Sequence, residues 1–81
     1  MPIKDFDQEA FQKRLKYLRT EVLRLSRTQL AEQLGIAYAT YENYESRFRS
    51  PKAHFVYSLC AAYGISADWL LGLRDGNPWV R

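Results

Sequence analysis

Twelve lysines and arginines stand against nine acids in this chain of 81 residues, a formal net charge of +3 at pH 7. Their placement carries more chemistry than their number. Lys13, Arg14, Lys16, Arg19, Arg24 and Arg27 fall in one stretch, and Arg47, Arg49 and Lys52 in another, with acids thinned out in both. Clustered cations attract phosphate by a long-range, salt-sensitive force. A solvated basic face has the same composition, so charge alone leaves both readings open. His54 and Cys60 are each single in the sequence, which leaves a zinc site without ligands and Cys60 without an internal disulfide partner. There is no Ser-His-Asp candidate set and no glycine-rich phosphate loop, so the expectation is a non-enzyme with no cofactor and no metal.

The elements that must position these cations are helices. Hydrophobic residues make up 47% of the chain, enough for one modest core and too much for a disordered segment. No stretch alternates at period two. Phe11, Leu15, Leu18 and Val22 recur at helical spacing and give a first helix one apolar stripe, with Asp5 or Asp7 as its cap. Ser26-Arg27-Thr28-Gln29 reads as a capping box that opens a second helix, with Leu25 stapled to Leu30 and Gly35 as the stop. A third helix follows at once, with Ile36 and Tyr41 stapled around Ala37 and Tyr44 on the same face as Tyr41. The connection Gly35-Ile36-Ala37 is too short for an antiparallel hairpin, so the two helices must cross steeply, in helix-turn-helix geometry. Ser50 with Pro51 predicts the start of a fourth helix, whose apolar face is Phe55, Val56, Leu59, Cys60 and Tyr63. Gly64-Ile65-Ser66 then predicts a fifth around Trp69, Leu70 and Leu71.

From Leu25 to Ile36 the chain resembles the signature of the lambda-repressor-like family, the Cro/repressor type of helix-turn-helix protein. Arg14 to Arg19 is similar to that family's first helix. Pro51 after a basic loop, and Gly64-Ile65-Ser66 before Trp69-Leu70-Leu71, are similar to its last two. The likeness runs from about residue 11 to 73. It implies an all-α, five-helix lambda-repressor-like DNA-binding domain with a helix-turn-helix: one domain over 1–81, with its core at about 6–73 and a tail at 74–81. It also implies double-stranded DNA as partner and often a homodimer. In the family the third helix enters the major groove while the second crosses the backbone. The resemblance therefore puts Tyr38, Ala39 and Asn43 against bases; Glu42 shares their outer helix face and is either a further base contact or a solvated residue. The resemblance puts Arg27, Ser46, Arg47 and Arg49 against phosphates, and Thr28 and Lys52 are further phosphate candidates beside them. Arg19 and Glu45 match an ion pair that ties the first helix to the third.

Four departures from the family are visible. Arg27 replaces the usual Gln, Ala37 replaces the usual Ser or Thr, glycines usual near Arg24 and Arg47 are missing, and one residue is added between the first two helices. The function expected is a sequence-specific transcriptional regulator, of phage or prophage repressor type, on a palindromic operator. Two alternatives share the fold: an antitoxin that binds both DNA and a toxin protein, and a protein-interaction module without DNA binding. The basic loop Arg47-Phe48-Arg49 argues against the last. Dimer contacts are expected around the fifth helix and the tail, with Trp69, Leu73 and Trp79 as candidates. Trp79 either folds back or covers a partner. The lone cysteine, the polar start of the chain and the lack of a long apolar run point to a cytoplasmic protein without membrane contact.

Overall fold

Caps set most of the helix boundaries in the computed structural model, which describes residues 5–47 and 49–80. Phe48 of the basic loop and Arg81 of the tail lie outside the described residues. Asp7, rather than Asp5, opens α1 (Gln8–Tyr17), its carboxylate accepting from the Ala10 amide at 3.0 Å. Ser26 opens α2 (Arg27–Leu34) with the full reciprocal box: its Oγ accepts from the Gln29 amide at 3.0 Å, and Gln29 Oε1 accepts from the Ser26 amide at 2.8 Å. Next come α3 (Tyr38–Ser46), α4 (Ala53–Tyr63) and α5 (Ala67–Leu71). Among the described residues there are five α-helices and no strand, so the fold is all-α as expected.

The first helix does not run evenly to its end. After Tyr17 the backbone widens into a π-helical segment, Leu18–Leu23. Such a segment bonds each amide to the carbonyl five residues back, so it holds one residue more than an α turn. The Arg24 amide donates to the Arg19 carbonyl, and the Leu25 amide reaches the same oxygen at 3.0 Å. The widened turn keeps both Leu18 and Arg19 buried. It closes on Arg24 in the left-handed region (φ 54°, ψ 47°), a conformation that favours glycine.

Gly35, at φ 69°, ends α2. Its amide donates to the Glu32 carbonyl at 3.1 Å, and the Ile36 amide donates to the Ala31 carbonyl at 3.0 Å. This paired closure turns the chain within two residues, so α3 starts at Tyr38 with its side against α2. Ala37 stands at the N-cap with extended dihedrals and no side-chain oxygen for the first amides.

The start of α4 differs from the sequence expectation. Lys52, not Ser50, is the N-cap, and Pro51 precedes the helix. Lys52 has only donors, so no side chain caps this end. At α5 the expectation holds, with Ser66 Oγ accepting from the Trp69 amide at 3.2 Å.

The core collects the expected apolar stripes. Phe11, Leu15, Leu18, Leu30, Ala31, Tyr41, Tyr44, Phe55, Val56, Leu59, Trp69 and Leu70 are all buried. Val22, Leu34, Cys60 and Tyr63 pack against them half-buried. The Tyr44 and Phe55 rings stack at 4.2 Å and join α3 to α4. Arg14 is not a surface cation. It donates to the carbonyls of Trp69 and Arg74, pairs with Asp75 at 3.2 Å, and lies over the Trp69 ring at 5.4 Å. It thereby ties α1 to α5 and to the tail.

The tail folds back onto its own domain. The Ser66 amide donates to the Pro78 carbonyl at 2.8 Å and the Val80 amide to the Gly64 carbonyl at 3.1 Å, framing a single antiparallel bridge between Ile65 and Trp79. The outward edge is filled as well: the Trp79 amide donates to Asn77 Oδ1 at 3.0 Å, and its carbonyl accepts from Arg74 at 2.7 Å. No free ladder is left there for another strand. Trp69 is buried, so of the three dimer candidates only Leu73 and Trp79 remain exposed.

Candidate nucleic-acid interface

Helix α3 is anchored from below by a buried charge cluster. Tyr41, Tyr44 and Glu45 are buried on its inner face. Glu45 Oε2 accepts from Arg19 Nε at 2.9 Å and from the Tyr41 hydroxyl at 2.5 Å. Its Oε1 accepts from Arg19 Nη2 at 2.9 Å and Arg27 Nε at 3.3 Å. Arg19 also donates to the Leu25 carbonyl at 2.9 Å. Three side chains, one each from the π-helical end of the first helix, α2 and α3, thus meet on one carboxylate. Among the described residues, no buried side-chain nitrogen or oxygen lacks a partner, which is the condition for a buried ionic network to hold.

Burial alone would push the Glu45 carboxyl up. Hydrogen bonds from Arg19 first, then Tyr41, hold it below the ordinary carboxylate range instead. The same hydrogen bond to Glu45 raises Arg19. Burial, with Glu45 second, pushes the Tyr41 phenol up, so it remains a neutral donor. Arg27 is also raised, by Tyr38 first and Glu45 second.

With its inner face fixed, α3 presents the other side. Tyr38 and Ala39 are exposed, and Glu42 and Asn43 are half-buried. The Tyr38 hydroxyl lies 3.5 Å from Glu42 Oε2. Thr28, Ser46, Arg47, Arg49 and Lys52 are all exposed. The four outer residues of α3 are one helix face, and the loop cations follow directly from the C-terminal end of that helix. Arg27 differs from the other cations, since it is partly committed to Glu45.

Sequence reasoning missed the support of the loop. Gln8 Nε2 donates to the Arg49 carbonyl at 2.7 Å, and Gln12 donates to the Arg47 carbonyl. Two glutamines one turn apart on α1 therefore hold the backbone on which the loop arginines stand. No local pattern announces this, because the partners lie 41 and 35 residues away in sequence. Burial pushes the Cys60 thiol up, which suits an inert packing residue. Among the described residues no group of three or more metal-ligating side chains occurs, and no helix is long and apolar enough to cross a membrane.

The profile of a family described as helix-turn-helix matches residues 15–70, more than half of the chain. YobD of Bacillus subtilis (strain 168), named an uncharacterized HTH-type transcriptional regulator, is 39% identical over 62 residues. That stretch is 76% of this chain and 54% of the relative, so the chain spans about half the length of that protein. No solved structure matches.

Proposed function

The chain belongs to the helix-turn-helix family of the Cro/repressor type, and from that premise we propose that it is a sequence-specific transcriptional regulator of double-stranded DNA. The observation that carries this reading is the split of α3 into a locked inner face and an accessible outer one. A reading helix must be rigid against its own domain and open toward the groove, and Glu45 and Tyr41 oppose Tyr38, Ala39, Glu42 and Asn43 in that way. In this reading Asn43 offers one donor and one acceptor to an adenine edge and Ala39 packs on a thymine methyl. Tyr38 and Glu42 complete the base-contacting face. Thr28, Ser46, Arg47, Arg49, Lys52 and the free part of Arg27 hold phosphates and set the register without reading sequence.

One such helix reads only a few base pairs, too little for a genome. The reading therefore includes a two-fold homodimer on a palindromic operator, with half-sites about 34–36 Å apart or a multiple of that. Leu73 and Trp79, exposed beside α5, are the apolar residues offered to that interface. The mode of action is occlusion of a promoter in the cytoplasm, as in a phage or prophage repressor.

Random-site selection followed by binding to single-base variants of the selected site tests this. Asn43→Ala should cost about 1–3 kcal/mol on the best site and relax the preference at one base pair. Equal loss on every variant would remove Asn43 as a base reader. Failure of the parent protein to bind any duplex would sink the whole reading.

A further inference from the structure

Arg27 brings a second cation to a carboxylate that Arg19 already neutralises. Glu45 faces two guanidiniums, one from Arg19 and one from Arg27. One negative and two positive charges leave the cluster with a surplus cation. The Arg19 side chain is 10% exposed and the Arg27 side chain 37% exposed, so the surplus charge reaches solvent at Arg27. Arg27 binds Glu45 through Nε, at 3.3 Å. A guanidinium carries five N–H donors in a rigid plane, of which Nε supplies one and the terminal nitrogens four.

We propose that Glu45 is a positioning residue for DNA binding: by holding Arg27 at Nε, it presents the terminal nitrogens of Arg27 as a fixed fork to a backbone phosphate. This deepens the DNA-binding reading and rests on it. The buried carboxylate is itself immobile, held by Arg19 and Tyr41, so it orients Arg27 before any DNA arrives. A flexible surface arginine must be ordered on binding, and pre-organisation removes that cost. The phosphate then neutralises the surplus charge, leaving two cations matched by two anions. The same carboxylate holds α3 in place, so phosphate contact and groove helix share one anchor. Tyr38, the neighbour that with Glu45 raises Arg27, begins the outer face of α3.

The test uses a labelled duplex of mixed sequence, which reads phosphate contacts independently of any operator. The full chain, Arg27→Ala and Arg27→Lys are titrated at several salt concentrations, and each is melted alone. Arg27→Ala should weaken binding about tenfold, as for one charge-assisted hydrogen bond, and make the salt slope shallower by about one unit. Arg27→Lys should keep the fold yet lose most of that tenfold factor, because a single ammonium cannot hold Glu45 with one nitrogen and a phosphate with others. Glu45→Gln supplies a second arm where it remains folded: the penalty of Arg27→Ala should shrink in that background.

Arg27→Lys binding as tightly as the parent overturns the proposal, since a bare charge would then suffice. Arg27→Ala with an unchanged affinity and salt slope but a lower melting temperature overturns it too, leaving Arg27 a structural residue. A parent that binds no duplex at low salt overturns the DNA-binding reading itself, and the proposal with it.

Discussion

Truncating Glu45 to alanine removes the acceptor of four hydrogen bonds: two from Arg19, one from Tyr41 and one from Arg27. The exposure of the partners decides the size of the effect. Arg27 is more than a third exposed and loses little, because water replaces its partner. Arg19 is nearly buried and keeps only the Leu25 carbonyl. Removing one partner of a buried pair costs about 3–5 kcal/mol, mostly the penalty of an unpaired buried charge. A chain of this length holds only about 4–12 kcal/mol in all, so the loss is a large fraction of the total. In a domain of this size each kcal/mol moves the melting temperature by about 4–8 °C, and a fall of roughly 15–30 °C is expected. Thermal unfolding followed by circular dichroism at pH 7 measures it. A variant melting within a few degrees of the parent refutes the claim that the pair is buried and α3 anchored by it.

Acid should act on the same group. Because the folded-state pKa of Glu45 is depressed, its contribution is complete above the unfolded value of about 4.3 and is lost as pH falls through the lower folded value. The stability difference between the parent and Glu45→Gln should be constant from neutral pH to about 5 and shrink only below about 4.3. A difference that already shrinks near neutrality counts against this account.

Two backbone positions give further expectations. Arg24→Gly should stabilise the protein by about 0.5–1 kcal/mol, since relief of the left-handed conformation outweighs the extra freedom glycine adds to the unfolded chain; a melting temperature that does not rise removes strain at Arg24 from the account. Ala37→Ser should add about 1 kcal/mol by giving the Thr40 amide an acceptor at the start of α3, read by chemical denaturation. No gain would mean that the extended dihedrals at Ala37 do not aim a hydroxyl at that amide.

Local chemistry was legible in the sequence. Ser26 and Gln29 form the reciprocal box, Gly35 closes α2, Ser66 opens α5, and the apolar stripes fall in the core, because each feature depends on residues within one or two turns of one another. The pairing of Arg19 with Glu45 was reachable too, through resemblance. Other decisions belonged to the tertiary structure. Ser50-Pro51 looks like a helix start, yet α4 begins at Ala53. The π-helical turn Leu18–Leu23 has no local signature, because it is the packing of Leu18 and Arg19 into the core that the wider turn serves. The roles of Gln8, Gln12 and Arg14 depend on carbonyls 35 to 60 residues away, which carry no side-chain signature. Most telling is Arg27, one of six basic residues in its stretch. Only the approach of α1, α2 and α3 to one carboxylate separates it from a surface charge, because Coulomb attraction and burial act through space and not along the chain.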